Sequence, residues 1–399
     1  MPILRFFPTL SGMFLLISSL TYAQSGPDRE YRVLFGHPYD QEWIATNGIA
    51  LNKAFQDIYY KGLSSRVPAK VRPIAETVWS VFWTFNFSMW PHDCGHWARA
   101  RQIGGDFRIN QYRFPFPVAE MIQPDSVAPG EEALASIGGH EINNLMMRQA
   151  HLDFYNREYS FAIDLIHAFI QEVYYPFYAF VLAPTNPEEP STWIDTYGDP
   201  VESALIVYKS HTGREPLRDD GTVDPDLIRY YRDATYLSVL WTLLDPLLYQ
   251  SARAFGADMT DDYGLMKPWM LGGQKFSWIW STQFHYSPLG YELYLANYLR
   301  WSQKLYYVYV KTGRPFKNLG LGVSVPSLLA MRDFTLGVAC DLWDQDIYGS
   351  GAALFMNAHY QASDRLGLIL KGGWKDEGYL IGKRVEKSAI FFVGISYRY

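Results

Sequence analysis

His92 and His96 stand four positions apart in the run Met89-Trp90-Pro91-His92-Asp93-Cys94-Gly95-His96-Trp97-Ala98-Arg99, with the acidic Asp93 between them. On an α-helix, positions i and i+4 share a face, so the two imidazoles converge and the carboxylate lies beside them. Zinc hydrolases hold their metal and their base in this way. A catalytic zinc takes three protein ligands and keeps one position open, so Zn2+ is the expected cofactor and a third ligand has to come from elsewhere in the chain. His167, His211, His285 and His359 are scattered singly and are expected to be structural.

The motif needs a helix, and its neighbours say where that helix starts and stops. Ser88 can cap a helix and Pro91 is tolerated in a first turn, so the helix is expected to begin just before the motif. It would run about four turns to the Gly104-Gly105 stop. Other apolar-aromatic helical segments are expected over 73–90, 131–151, 161–183 and 229–255, separated by Pro-rich loops at 184–190 and 214–225. Segment 161–183 is long enough to span a bilayer, but it carries Asp164, His167, Gln171, Glu172 and Pro176. A charge at the bilayer centre costs about 2.5 kcal/mol or more, so these helices read as buried or interfacial.

From about Leu271 the period changes to two. Trp278, Trp280, Thr282, Phe284 and Tyr286 alternate with mostly polar residues; further rows run through Leu319 to Val325, Leu336 to Leu342, Ala352 to Tyr360 and Leu366 to Leu370. These are strands with one apolar face, about eight in all. The last row, Phe391, Val393, Ile395, Tyr397 and Tyr399, ends the sequence on an aromatic residue and resembles the C-terminal strand of bacterial outer-membrane β-barrels. The fold class expected is α+β: a signal peptide at 1–23, a helical domain at 24–265 and an antiparallel barrel at 271–399 that resembles the outer-membrane type.

Residues 1–23 have an early Arg5, an apolar core and Thr21-Tyr22-Ala23 before Gln24, the pattern of a secretory signal. With 13 Trp, 30 Tyr and 24 Phe the chain is 17% aromatic, which suits a membrane interface and makes lipid an expected partner. The formal charge of -6 leaves no basic footprint for nucleic acid. Two cysteines, Cys94 and Cys340, allow one bridge and exclude a disulfide framework.

The motif resembles the HExxH signature of the zincin metallopeptidases, with Asp93 in place of the glutamate. That carboxylate is one methylene shorter, so a water would have to sit closer for proton abstraction. His92-x-x-Gly95-His96 followed by Ala100-Arg101 and Gly104 is similar to the HExGHxxxARxxG stretch of the site-2 protease family. Gly139-His140-Glu141-Ile142-Asn143 partly matches that family's GPxxN segment, and Leu244-Asp245-Pro246 is the nearest counterpart of its LDG motif, with Pro in place of Gly. The resemblance touches three short stretches between 92 and 246 and none of the C-terminal half. A gluzincin-like route to the third ligand takes Glu141; a site-2-like route takes Asp245, whose place before Pro246 suits a helix cap better. Glu141 is favoured, because the Gly138-Gly139 pair lets its helix approach the motif helix closely. His140 ranks below it, pointing about 100 degrees away around the helix. Glu120, Glu131 and Glu132 read as solvated or capping groups.

HDCGH is also similar to the first histidine box of membrane fatty-acid desaturases, but their two irons need further HxxHH boxes and the 9 histidines supply none. The resemblance therefore implies an envelope-localised zinc metallopeptidase, a hydrolase of a peptide or protein substrate, in which Asp93 is the base. The alternative is a non-enzymatic outer-membrane barrel protein whose helical part acts as a plug or carries a structural metal.

Overall fold

The computed structural model describes residues 29–398, apart from 59–65, 69, 114–115, 123, 125–126, 128–130, 132, 182, 196–197, 219 and 257–263. The expected signal segment, Glu132 and Tyr399 lie outside the described residues, as does the side chain of Glu120.

The chain enters through strand β1 (Glu30–Phe35) and then builds eight α-helices among the described residues: α1 (Gln41–Ile58), α2 (Arg72–Gln102), α3 (Leu134–Arg157), α4 (Ala162–Val181), α5 (Pro190–Asp195), α6 (Asp199–Thr212), α7 (Pro225–Leu243) and α8 (Pro246–Ala252). A hairpin of β2 (Asp106–Arg113) and β3 (Phe116–Ile122) follows α2, and β4 (Ser160–Phe161) pairs with β5 (Leu265–Met266). The rest is antiparallel sheet: β6 (Leu271–Gly272), β7 (Phe276–Ser287), β8 (Gly290–Trp301), β9 (Lys304–Pro315), β10 (Asn318–Ala330), β11 (Phe334–Gln345), β12 (Gly349–Gln361), β13 (Leu366–Lys375) and β14 (Ser388–Arg398). Helices first and a sheet afterwards is the expected α+β arrangement.

Among the described residues the sheet has ten strands, eight of them long, in the order β1-β14-β13-β12-β11-β10-β9-β8-β7-β6: β6 to β14 form a meander, and β1 adds to its β14 edge. Short turns make this order possible. Ser302 and Gln303, both at positive φ, form the two-residue link between β8 and β9, a geometry that matches the strand twist. The ladder is open between β1 and β6. β1 pairs with β14 in the register Tyr31↔Tyr397 and Val33↔Ile395, so the sheet recruits a strand from the segment 24–265 that the sequence reading kept helical.

Strand alternation sorts the two faces of this sheet in an unusual sense. Leu319, Leu321 and Val323 on β10, Leu354 and Met356 on β12, Leu366, Leu368 and Leu370 on β13, and Phe391 and Val393 on β14 are exposed. The opposite, buried face holds the polar set. Lys311 and Glu292 form a fully buried ion pair at 3.0 Å, and Lys375 donates to the carbonyls of Asp376, Gly378 and Val385. A cavity of about 640 Å3 between α3 and this face is lined by charged groups that include Arg32, Glu42, Arg148, Asp153 and Lys371.

The helices pack on that buried face. Phe154, Tyr155, Leu165 and Ile166 pack with Ile279, Tyr294, Tyr298 and Tyr307 in one core, so helical and sheet segments share their buried surface. Among the described residues, no helix is long and apolar enough to cross a membrane. α4 shows why: Asp164, His167, Gln171 and Glu172 interrupt its apolar face and point into the protein.

Two helix boundaries differ from the sequence reading. The motif does not open a helix; α2 runs unbroken for 31 residues through Pro91. Ser88 is not a cap, since its hydroxyl donates to the Thr84 carbonyl within the helix. Segment 229–255 is cut in two, α7 ending at Leu243 and α8 restarting at Pro246 with Asp245 as its N-cap. Cys94 and Cys340 are both free thiols.

Candidate metal centre

Close backbone contact between α2 and α3 sets the geometry of the site. A Cβ on Gly95 would lie 2.2 Å from the Gly138 carbonyl oxygen, and one on Gly138 would lie 2.5 Å from that of Gly95. Only glycine at both positions permits this approach. Gln41 of α1 seals the crossing by donating from Nε2 to the Gly95 carbonyl at 3.1 Å. Gly95→Ala is expected to lower stability by about 1–3 kcal/mol, the usual cost of overpacking, read as a fall in melting temperature. A wild-type melting temperature would show that the helices can separate without cost.

With the helices this close, His92 and His96 project along α3 and meet over Gly139. A Cβ at Gly139 would fall 2.4 Å from His96 Nε2 and 2.5 Å from His92 Nε2, so this glycine leaves the space that the two rings fill. Their Nε2 atoms are 3.1 Å apart. The third member is Asp199, at the start of α6, whose Oδ2 stands 3.2 Å from each of them. Both histidines are buried, and Asp199 keeps 20% of its side chain exposed, so the group can be reached from outside.

The electrostatics are those of a tightly paired group. His96 Nδ1 donates to the Ala135 carbonyl at 2.6 Å, which fixes the ring and directs Nε2 at Asp199. Burial alone would lower the His96 pKa, but Asp199 and this hydrogen bond push it up to about 9. Burial alone would raise the Asp199 carboxyl; His96 and His92 hold it well below the usual carboxylate range. Asp93, half-buried, is pushed up by burial and pulled down by both histidines, which places it within electrostatic reach of the group. Glu202, one turn after Asp199, is pushed up to about 7 by burial and by Asp199.

An aromatic wall closes one side. Tyr174 of α4 lies 5.3 Å from the His92 ring centre, and Phe107 of β2 stacks on His96 at 5.8 Å. His140 also faces the group: its Nε2 is 3.5 Å from Asp199 Oδ2, and its ring packs against Tyr174, Tyr175 and Tyr178.

The structure thus brings together His92, His96 and Asp199, with Asp93 nearby, and leaves both sequence candidates for the third ligand elsewhere. Glu141 is fully committed to another task. Its carboxylate pairs with Arg99 through two bonds of 2.5 and 2.7 Å, and accepts from the Gly382 backbone N–H at 2.6 Å. His140, ranked below Glu141 from the sequence, is the one of the two that turns towards the group. Asp245 caps α8 by accepting from the Leu247 N–H at 2.8 Å, and also accepts from Ser281 and Thr282. His167, His211, His285 and His359 stand apart from the group; His359, for example, bonds Ser396 at 2.7 Å.

Donor chemistry and spacing fit a transition metal. Two imidazoles and one carboxylate are zinc-type ligands, and a tetrahedral ion with bonds of about 2.0–2.1 Å keeps its ligand atoms roughly 3.3 Å apart. The three separations of 3.1, 3.2 and 3.2 Å are close to that edge. No protein-family model, no curated protein and no solved structure matches this chain.

Proposed function

We propose that this chain is an envelope-localised, zinc-dependent hydrolase that cleaves an amide bond of a peptide or protein substrate. The convergence of His92 Nε2, His96 Nε2 and Asp199 Oδ2 at one partly accessible point supports this reading. When bound there, zinc would activate a water and polarise the scissile carbonyl. The chain's own residues divide the remaining work. His92, His96 and Asp199 hold the metal, Ala135 orients His96, and Asp93 takes up the proton. Purified protein is expected to contain one zinc per chain and to lose peptide hydrolysis on chelation. Absence of stoichiometric zinc, or an Asp93→Asn variant that cleaves at the wild-type rate, would sink the reading.

A membrane location is part of the same proposal. The outward row of β13 from Leu366 to Trp374 covers roughly 26 Å along the strand, close to the apolar band of about 25 Å on outer-membrane barrels. On β9 the outward row carries Val308 and Val310 in its middle and the charged Lys304 and Arg314 only near its ends. Exposed apolar side chains also occur on α2 at Ile74 and Val78, α4 at Phe177 and Phe180, and α7 at Leu240 and Leu243. Leu368→Arg is expected to weaken membrane insertion by about 2–4 kcal/mol if it sits near the midplane. Partition between outer-membrane and soluble fractions measures it, and a soluble wild-type protein would refute the location.

One observation favours the second reading, a structural metal in a non-enzymatic membrane protein: His140 Nε2, 3.5 Å from Asp199 Oδ2, puts a further protein donor beside the trio, and structural zinc sites take four protein ligands.

A further inference from the structure

Both nitrogens of the His140 ring are buried, with the residue only 2% exposed, and neither has a hydrogen-bond partner among the described residues. Buried polar groups are almost always paired, so an imidazole with two idle nitrogens needs an explanation. Its surroundings are aromatic. The rings of Tyr174, Tyr175 and Tyr178 surround it without offering it a hydrogen bond. What Nε2 does face is Asp199 Oδ2, the atom already shared by His92 and His96. Three imidazole Nε2 atoms thus lie 3.2, 3.2 and 3.5 Å from one carboxylate oxygen. His92 and His140 also stand edge to face, with ring centres 5.2 Å apart.

We propose that His140 is the fourth ligand of the metal centre, giving a resting site of three imidazoles and one carboxylate. This rests on the metal reading above and adds to it. His140 stays outside the tight trio of His92, His96 and Asp199, so metal binding draws its ring inward by a side-chain adjustment. Among the described residues its nitrogens hold no hydrogen bond that would have to break for the ring to move. A four-ligand site is closed, as structural zinc sites are, whereas turnover needs a position for water. His140 therefore acts as an exchangeable cover on the metal: water reaches it when the ring retreats towards the tyrosines or when the ion expands to five ligands.

The test is made on the full chain, without a substrate. X-ray absorption of the zinc-loaded wild type counts imidazoles directly, and three are expected. Cobalt-loaded protein supplies a second measure: His140→Gly should change the visible absorption spectrum, weaken metal binding at least tenfold, and regain the wild-type spectrum when free imidazole is added. Zinc bound by only two imidazoles, or a His140→Gly spectrum and affinity equal to wild type, overturns the proposal while leaving the metal reading intact. Failure of the wild type to bind zinc or cobalt removes both. Should His140→Gly fail to fold, the imidazole count in the wild type still decides.

Discussion

Asp199→Asn is expected to leave a folded protein that no longer retains zinc through purification. Losing an outer-shell partner typically costs 10–100-fold in metal affinity, and loss of a direct charged ligand should exceed about 100-fold. The fold should tolerate the change because Asp199 is at the accessible edge of the group and α6 has other support: Pro200 lies in its first turn and Gly213 closes it in the left-handed conformation. Competition with a colorimetric chelator gives the affinity. Asp245→Asn is the matched control, a second Asp-Pro helix start that should keep its zinc. Equal zinc affinity in wild type and Asp199→Asn would remove Asp199 from the site.

Glu141→Ala should behave in the opposite way, costing about 3–5 kcal/mol of stability, the usual penalty for stranding one half of a buried ion pair. Neither Arg99 nor Glu141 has any side-chain exposure, and the same carboxylate ties α3 to the Gly382 backbone and the Tyr379 hydroxyl. Arg99 would keep its bonds to Gln102 and the Lys383 carbonyl, but its charge would lose the carboxylate it is paired with. Denaturant unfolding measures the loss. Under conditions where the variant is still folded, zinc content should match wild type, which distinguishes a structural carboxylate from a ligand. Lost zinc at unchanged stability would reverse the assignment.

The sequence made the histidine pair legible because their relation is local: four positions on one helix fix a shared face whatever surrounds them. The close approach of α2 and α3 was also legible, since Gly138-Gly139 has an obvious steric meaning, although its mate Gly95 was noted only as part of a motif. Asp199 was not. The chain contains three Asp-Pro helix starts, at 199–200, 224–225 and 245–246, and each places a carboxylate at a helix N-terminus. Two became caps, Asp224 on α7 and Asp245 on α8, and only the packing of α6 against α3 brings the third to the histidines. The strand rows were visible by their period of two, but that period cannot say which face meets solvent. β1 was missed for a related reason. Glu30 to Phe35 has weak alternation, and its partner lies more than 350 positions away, at Arg398.

That pairing also bears on how the molecule assembles. The cost of closing a loop grows with the logarithm of its length, and contacts between distant positions form late. A ladder made from β1 and β14 joins segments more than 350 positions apart in the chain. The centre at His92, His96 and Asp199 lies wholly within the interval they bracket. Amide exchange along Tyr31 to Phe35 should therefore report on that pairing, becoming protected only in molecules whose chain has been made as far as β14.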